Sequence, residues 1–490
     1  MESKEIKDQL TKLGKITARL EPSAVEREYY IDQVQKYAGY FIDNLPNTKT
    51  FTSKEADPSL LKLKGGDQPI EKLIDIYADQ VANNGINAAS GGHLGYIPGG
   101  GIFASSLADF LVAVTNEYAG IYYASPGATL IEQEILSWMK SLFGFPETAV
   151  GNLCSGGSIA NLIALTAARD RHKIKGPKIE KSVVYLSEQV HHCVQKALRI
   201  IGLEDVLIRY IALDDHHRMR VDLLDQQITG DIEKGFNPFL IVASAGTTDT
   251  GVMDPLKAIG EVSREHGLWY HIDGAYGGFF IMVDEKKHLF KGIEMADSLC
   301  IDPHKSMFIP YGLGAVIVKD KEAVYHSNHY RANYMRDADL EGVPENAADV
   351  SPELTKHFRG MRMWLPLQLY GAYTFAACLK EKLLLIRYMR SEVKKLGFEI
   401  GPEPDLTVSY FWCPVSDGDE NEYNKNLLEE IHKDGRVYFS STTINGKFVI
   451  RMAILSFRTK LKEIELALNV IKEARERVDK SIRTTNVKEK

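Results

Sequence analysis

HIDGAYGGFF (271–280) and SLCIDPHKSMFIPYG (298–312) are the two stretches on which the reading of this chain turns. Each begins as a short apolar run and ends in chemistry. Asp273 closes the first run and Lys305 follows the second, so an acid and an amine stand at the ends of successive strands. An aldehyde-bearing pyridine ring needs one group of each kind. A lysine amine can hold the aldehyde as a Schiff base, and a carboxylate can keep the ring nitrogen protonated so that the ring accepts electrons. Gly274, Ala275 and Gly277 beside Asp273 leave space for a ring. Lys305 lies in an apolar setting, SMFIPYGLGAV (306–316), where burial is expected to lower its pKa and favour the reactive amine.

Outward from this pair the chain alternates. SVVYLS (182–187), VLIRYIAL (206–213), PFLIVASAG (238–246), LWYHID (268–273), SLCID (298–302) and GAVIVKD (314–320) read as strands. Helical patterns such as HHCVQKALRIIG (191–202) and PLKAIGEVSREHG (255–267) lie between them. This alternation argues for an α/β fold with a mainly parallel sheet between helices. Ligands in such folds gather beyond the carboxyl ends of the strands, where Asp273 and Lys305 fall.

The flanks differ in texture. Residues 1–87 are charged and mostly helical in pattern, as in EREYYIDQVQKYAGYFIDNL (26–45) and IEKLIDIYADQVAN (70–83). Such an N-terminal helical arm buries little surface by itself and is expected to pack on a neighbouring domain or a partner subunit. Residues 88–365 form the large domain. Within it 321–358 loses the strand–helix rhythm and reads as a long loop, either a lid or a tolerated surface insertion. GMRMWLPLQLYGAYTFAACLKEKLLLIRYM (360–389) reads as helix interrupted near Pro366. From 366 to 490, VSYFWCPV (408–415), KFVIRMAILSF (447–457) and a closing helix make a small α+β domain.

Composition narrows the function classes. A net charge of −7 over 490 residues argues against nucleic acid or an anionic membrane surface as the main partner. Five cysteines, at 154, 193, 300, 378 and 413, lack CxxC pairing and support neither a zinc site nor a disulfide framework, so no metal is expected. The opening MESKEIKDQLTKLGK is charged and without an apolar core, and no apolar run spans a bilayer; the cytoplasm is the expected location.

Three further motifs bear on the site. GNLCSGGSIANLIALTAARD (151–170) is a glycine-rich turn opening a helix, with Ser155, Gly156, Gly157 and Ser158 as candidate phosphate contacts. The same turn also fits an ordinary capped helix. It is neither a Walker loop nor a Rossmann fingerprint. His191 and His192 open the next helix, where a flat imidazole can stack on a ring or move protons, or simply cap or face water. ASAGTTDTGVMDP (243–255) offers Thr247 or Thr248 to a cofactor substituent, unless both hydroxyls only satisfy the turn. Phosphate turn, histidine, threonine loop, aspartate and lysine in this order point to pyridoxal 5′-phosphate.

In DPHKS (302–306), HIDGAYGG (271–278), CSGGSIANLIAL (154–165) and ASPGATLIEQEIL (124–136) the chain resembles the pyridoxal-phosphate-dependent group II amino-acid decarboxylases, related to aromatic-amino-acid and glutamate decarboxylases. The likeness runs from about residue 70 to the C-terminus. It implies fold-type I, with a seven-stranded sheet, and a homodimer with a shared active site. It also implies roles: Lys305 as the lysine bonded to the cofactor aldehyde, Asp273 at the ring nitrogen, Ala275 against the ring and His191 stacked on it. Gly157 and Ser158 would hold the phosphate, with Thr248 and His304 close by. GGHLGYIPGGG (91–101) resembles the loop that reaches the partner's site, with His93 and Tyr96 as candidate substrate contacts.

The implied reaction is decarboxylation of an L-amino acid, an aromatic one as first choice, to the amine and carbon dioxide. One departure stands out. In the relatives a lid tyrosine helps return the last proton, but the matching register, ENAADV (345–350), has no tyrosine; Tyr330 and Tyr334 stand nearby in HYRANYM (329–335). Competing readings are a carbon–carbon lyase, an aminotransferase and a silent scaffold. An aminotransferase needs an arginine for the substrate carboxylate. Only Arg451 is well placed, and an ion-paired core arginine is the alternative reading of it. Retention of both Asp273 and Lys305 opposes the scaffold.

Overall fold

The computed structural model describes residues 3–63, 66–329, 345–416 and 418–488. The chain divides into two compact units, Met1–Ser90 and Gly91–Lys490. The first contains helices Ser3–Thr17, Ala24–Asn44 and Ile70–Tyr77, with strands β1 (Phe51–Thr52) and β2 (Gly85–Ile86) paired antiparallel. Ser23 starts the second helix with a capping box: Glu26 N–H donates to Ser23 Oγ, and Ser23 N–H donates to Glu26 Oε2 (2.8 Å). Neither of the first two helices has a buried residue. Ile6, Leu10, Leu13 and Ile16 recur at helical spacing and are all exposed, so this apolar stripe finds no cover within its own unit.

The second unit is built on a seven-stranded sheet: β3 (Val150–Cys154), β4 (Ser182–Leu186), β5 (Leu207–Tyr210), β6 (Asn237–Ser244), β7 (Trp269–Asp273), β8 (Ser298–Ile301) and β9 (Gly314–Val318). Their order is β3-β9-β8-β7-β6-β4-β5. All neighbours are parallel except β9, which is antiparallel to both β3 and β8. Every residue of β4, β7, β8 and β9 is buried, as expected of strands covered on both faces. One apolar layer gathers Met139, Phe143, Phe279 and Ile301; the other gathers Ala160, Ala164 and Leu165 with Val184 and Val242. The six expected strands are all present. The seventh, β3, is the one those runs miss, because VGNLC carries a glycine and an asparagine that mute the β signal.

Two expectations are corrected here. The stretch 321–358 does not begin as loop: Lys321–Asn328 is a helix, capped by Asp320, whose carboxylate accepts from Ala323 N–H (3.0 Å). Nor is the helix Met361–Lys395 interrupted at Pro366. The break lies at Gly371 (φ 71°, ψ 151°), where only a residue without a Cβ turns left-handed at no steric cost. Pro366 forfeits one helical hydrogen bond, and the Arg362 carbonyl it leaves free accepts from Ser105 Oγ instead (2.6 Å). After this helix comes a four-stranded antiparallel sheet, β10 (Glu399–Ile400), β11 (Val408–Trp412), β12 (Ser440–Ile444) and β13 (Lys447–Ala453), in the order β10-β11-β13-β12. The two-residue turn Asn445-Gly446 joins β12 to β13 with positive φ at both positions, the geometry that matches strand twist. Helices Glu420–Asp434 and Leu461–Lys488 complete this region. Among the described residues no helix is long and apolar enough to cross a membrane.

Candidate active site

The carboxyl ends of β6, β7 and β8 open onto a cavity of about 360 Å³. Register brings the strands' ends together: Asp273 pairs with Ser244 on one side and Cys300 on the other. The cavity is lined by Gly157, Ser158, His191, Thr248, Asp273 and Lys305 among others, so residues distant in sequence meet on one wall. Ala275 and His304 line it too.

One end of the cavity is the Ser155–Ser158 turn, where helix Gly157–Arg171 begins. The first amides of a helix have no intrahelical partners, and the helix dipole adds partial positive charge, so this end favours a phosphate. The glycines are required by close packing. A Cβ on Gly157 would meet Asp302 Oδ2 at 3.0 Å and Ala275 Cβ at 3.3 Å, and one on Gly314 would meet Gly156 Cα at 2.5 Å.

Asp273 is buried at the other end. Its Oδ1 accepts from Ala275 N–H (3.0 Å) and its Oδ2 from Asn161 Nδ2 (3.3 Å). No cation pairs with it among the described residues. A buried carboxylate on a cavity wall, in direct ion-pair contact with no cation among the described residues, matches the charge of a protonated ring nitrogen.

Lys305 stands on the short helical turn Pro303–Ser306. Its Nζ lies 3.0 Å from Asp302 Oδ2. The expectation of a lowered lysine pKa is therefore corrected. Burial pushes it down, but Asp302 and then Asp273 push it up further, and the net shift is upward. The other oxygen of Asp302, Oδ1, is buried without a hydrogen-bond partner among the described residues. His304 Nδ1 lies 2.6 Å from Leu313 O and so carries the proton it donates there.

His191 borders the cavity and accepts from Cys193 N–H at Nδ1 (3.3 Å). Burial pushes it below the ordinary histidine range, so its ring is neutral at physiological pH. Thr250 Oγ1 donates to Gln189 Oε1 (3.2 Å) and lies 2.8 Å from Thr247 Oγ1, which fixes the loop that presents Thr248. Arg451 is a core arginine, buried at 3 % exposure, but its partners are not ionic and it is no anion receptor of this cavity. It donates to the carbonyls of Thr248 and Tyr96 (3.0 Å each) and to Ser440 Oγ, with neither an ion-pair partner among the described residues nor a place in the cavity lining.

His93 and Tyr96 are not part of this cavity's wall within the chain. His93 is buried against the edges of Tyr96 and Tyr438, and burial holds it at a pKa of about 4. Tyr330 and Tyr334 lie outside the described residues. In the ENAADV register, Asn346 Oδ1 accepts from Tyr122 N–H (2.8 Å) and Asp349 pairs with His329 (2.8 Å).

Asp302, Asn161 and Gln189 escaped the motif reading. Asp302 was legible as the residue one helical turn before Lys305 in DPHKS. Asn161 and Gln189 carry no local signal.

The family described as "Pyridoxal-dependent decarboxylase conserved domain" matches residues 66–414. Aromatic-L-amino-acid decarboxylase of Bacillus atrophaeus is 33% identical over 391 residues, covering 79% of this chain and 81% of its own. Phenylacetaldehyde synthase of Arabidopsis thaliana is 30% identical over 388 residues, covering 75% of this chain and 79% of its own. The crystal structure of Oryza sativa TDC with PLP and tryptamine superposes with a TM-score of 0.87 at 21% identity, over 93% of this chain and 99% of that one. That likeness shows the fold, fold-type I.

Proposed function

The chain belongs to the pyridoxal-dependent decarboxylases, and we propose that its substrate is an aromatic L-amino acid and that the residues meeting at the β6–β8 cavity carry the reaction. It is a pyridoxal 5′-phosphate-dependent carboxy-lyase that converts an amino acid to its amine and carbon dioxide. The name of the relative at 33% identity supports the aromatic choice. The observation that carries the site assignment is the meeting of Lys305, Asp273 and the Gly157 turn around one cavity.

Bound pyridoxal phosphate supplies an aldehyde for the substrate amine and a ring that takes up the electron pair left when carbon dioxide departs. Lys305 is the amine that would hold the aldehyde. The Gly157 and Ser158 amides would hold the phosphate, with His304 nearby. Asp273 would keep the ring nitrogen protonated. Ala275 and neutral His191 would pack on the ring, and Thr248 would offer a hydroxyl to the cofactor. His93 and Tyr96 are assigned as substrate contacts delivered to the site of a partner subunit, which makes the active form a homodimer; the uncovered stripe on helix 3–17 supports this. Tyr330 and Tyr334 are retained as candidate substrate contacts, and the group that returns the Cα proton is left unassigned between them. The arm 1–87, large domain 88–365 and small domain 366–490 serve as its parts, and the cytoplasm as its location.

Purified protein should absorb at the edge of the visible, and Lys305→Ala should abolish that band. A wild type that stays colourless with added pyridoxal phosphate would refute the assignment. Incubation with individual L-amino acids should release carbon dioxide fastest from an aromatic one. Release from a basic substrate alone would overturn the aromatic choice. Aldehyde in place of amine would assign this chain the chemistry named by its 30% relative.

A further inference from the structure

Behind Asp273 lies a line of polar groups with no exposure to water: Asn161, His271 and Ser298 at 0 %, ending at Trp269. Such groups are expensive in a core, where an apolar side chain of similar volume costs nothing to desolvate. Their contacts admit one arrangement of protons. Asn161 Nδ2 donates to Asp273 Oδ2 (3.3 Å) and to Cys193 Sγ (3.3 Å), so the amide oxygen must face His271. His271 Nε2, 2.6 Å from that oxygen, must therefore carry a proton. Its Nδ1 accepts from Ser298 Oγ (2.8 Å), and Ser298 in turn accepts from Trp269 Nε1 (2.8 Å). Burial holds His271 at a pKa of about 4, which keeps it neutral, and its two hydrogen bonds set the tautomer.

The placement is directional. His271 and Asp273 are two apart on β7 and share a face. Asn161 lies four residues after Gly157 on the helix that begins at the phosphate turn, roughly 6 Å along its axis. One helix thus meets both ends of the cavity.

We propose that Asn161 and His271 are positioning residues that orient the Asp273 carboxylate toward the cofactor ring nitrogen and tie that orientation to the phosphate turn. This rests on the assignment of Asp273 in the proposed function. Only donors reach the carboxylate from behind, so its charge stays available to the ring.

The test uses affinity as well as rate. Asn161→Leu and His271→Leu should each raise the apoprotein's dissociation constant for pyridoxal phosphate, read from fluorescence quenching, by tenfold or more. They should also lower kcat of the saturated enzyme at least tenfold with KM for the amino acid within twofold. His271→Gln, whose amide still donates to Asn161, should keep all three within threefold of wild type. If His271→Leu leaves the dissociation constant and kcat within threefold, or if His271→Gln is as damaging, the proposal fails. A second measurement does not depend on any variant folding: the ¹⁵N resonances of histidine-labelled wild type should show His271 neutral and protonated at Nε2 from pH 5 to 9. A titrating ring, or one protonated at Nδ1, overturns the positioning role. A wild type that takes up no pyridoxal phosphate fails the proposed function itself, a result distinct from these.

Discussion

Asp302→Asn is expected to speed the loading of pyridoxal phosphate onto the apoprotein. The lysine that must attack the aldehyde is held as an ammonium by a carboxylate 3.0 Å away, and only its neutral form is a nucleophile. At that distance, with an effective dielectric constant of about 20, the attraction is about 5.5 kcal/mol. Retaining only a quarter of it, about 1.4 kcal/mol, still changes the neutral fraction tenfold. The sign follows from the causes of the shift: burial favours the neutral amine, and Asp302 is the leading influence against it. Without Asp302 the lysine pKa falls, and at pH 7 the rate of appearance of the visible band should rise tenfold or more in stopped-flow mixing. The rate for wild type should climb steeply with pH, and that for the variant should level off at lower pH. Asp302 also adjoins the phosphate turn, so removal of its charge favours phosphate as well. Pyridoxal lacking the phosphate separates the two effects. Equal loading rates for variant and wild type, or an acceleration that vanishes with pyridoxal, would refute the reasoning.

Lys356 is fully buried against Glu132 (2.7 Å), Asn152 Oδ1 (3.0 Å) and Leu153 O (2.9 Å), so Lys356→Met strands a buried carboxylate and should cost about 3–5 kcal/mol. Lys356→Met/Glu132→Gln removes both charges, keeps an acceptor for Gly360 N–H and should regain most of that loss; equal thermal stability of the single and double variants would contradict this. His93, held at about 4 against 6.5, binds its proton in the unfolded chain first, so stability is lost as pH falls through that window, by up to about 3 kcal/mol. His93→Phe should narrow the difference between urea midpoints at pH 7 and pH 4.5, and an unchanged difference would argue against a buried neutral ring.

The strands were legible where β-branched residues cluster, as in SVVYL and GAVIV, and the cofactor's two chemical anchors were legible because they close such runs. What stayed hidden depends on distance along the chain. Asn161 and Asp273 are far apart in sequence and meet only because one helix packs over β7. The sign of the Lys305 shift could not be read from an apolar neighbourhood, since it is set by Asp302 turning back one helical step. Arg451 read as a candidate anion receptor, yet its donors go to the carbonyls of Thr248 and Tyr96, a partnership invisible to any motif. Pro366 drew attention as a helix breaker while Gly371 made the break; the carbonyl orphaned by the proline finds Ser105, 257 residues away in sequence.

The helix Met361–Lys395 gives the second unit a mechanical character. Phe375, Leu379 and Leu383 belong to the core under the seven-stranded sheet, and Leu385, Ile386, Met389 and Val393 to the core under the four-stranded one. The change of core falls within an unbroken stretch well after Gly371, so the rod splints the two sheets together where a hinge would have to be. The C-terminal sheet therefore cannot swing as a door over the cofactor strands without snapping helical hydrogen bonds. Traffic of substrate and amine past Lys305 has to be governed by elements other than that sheet.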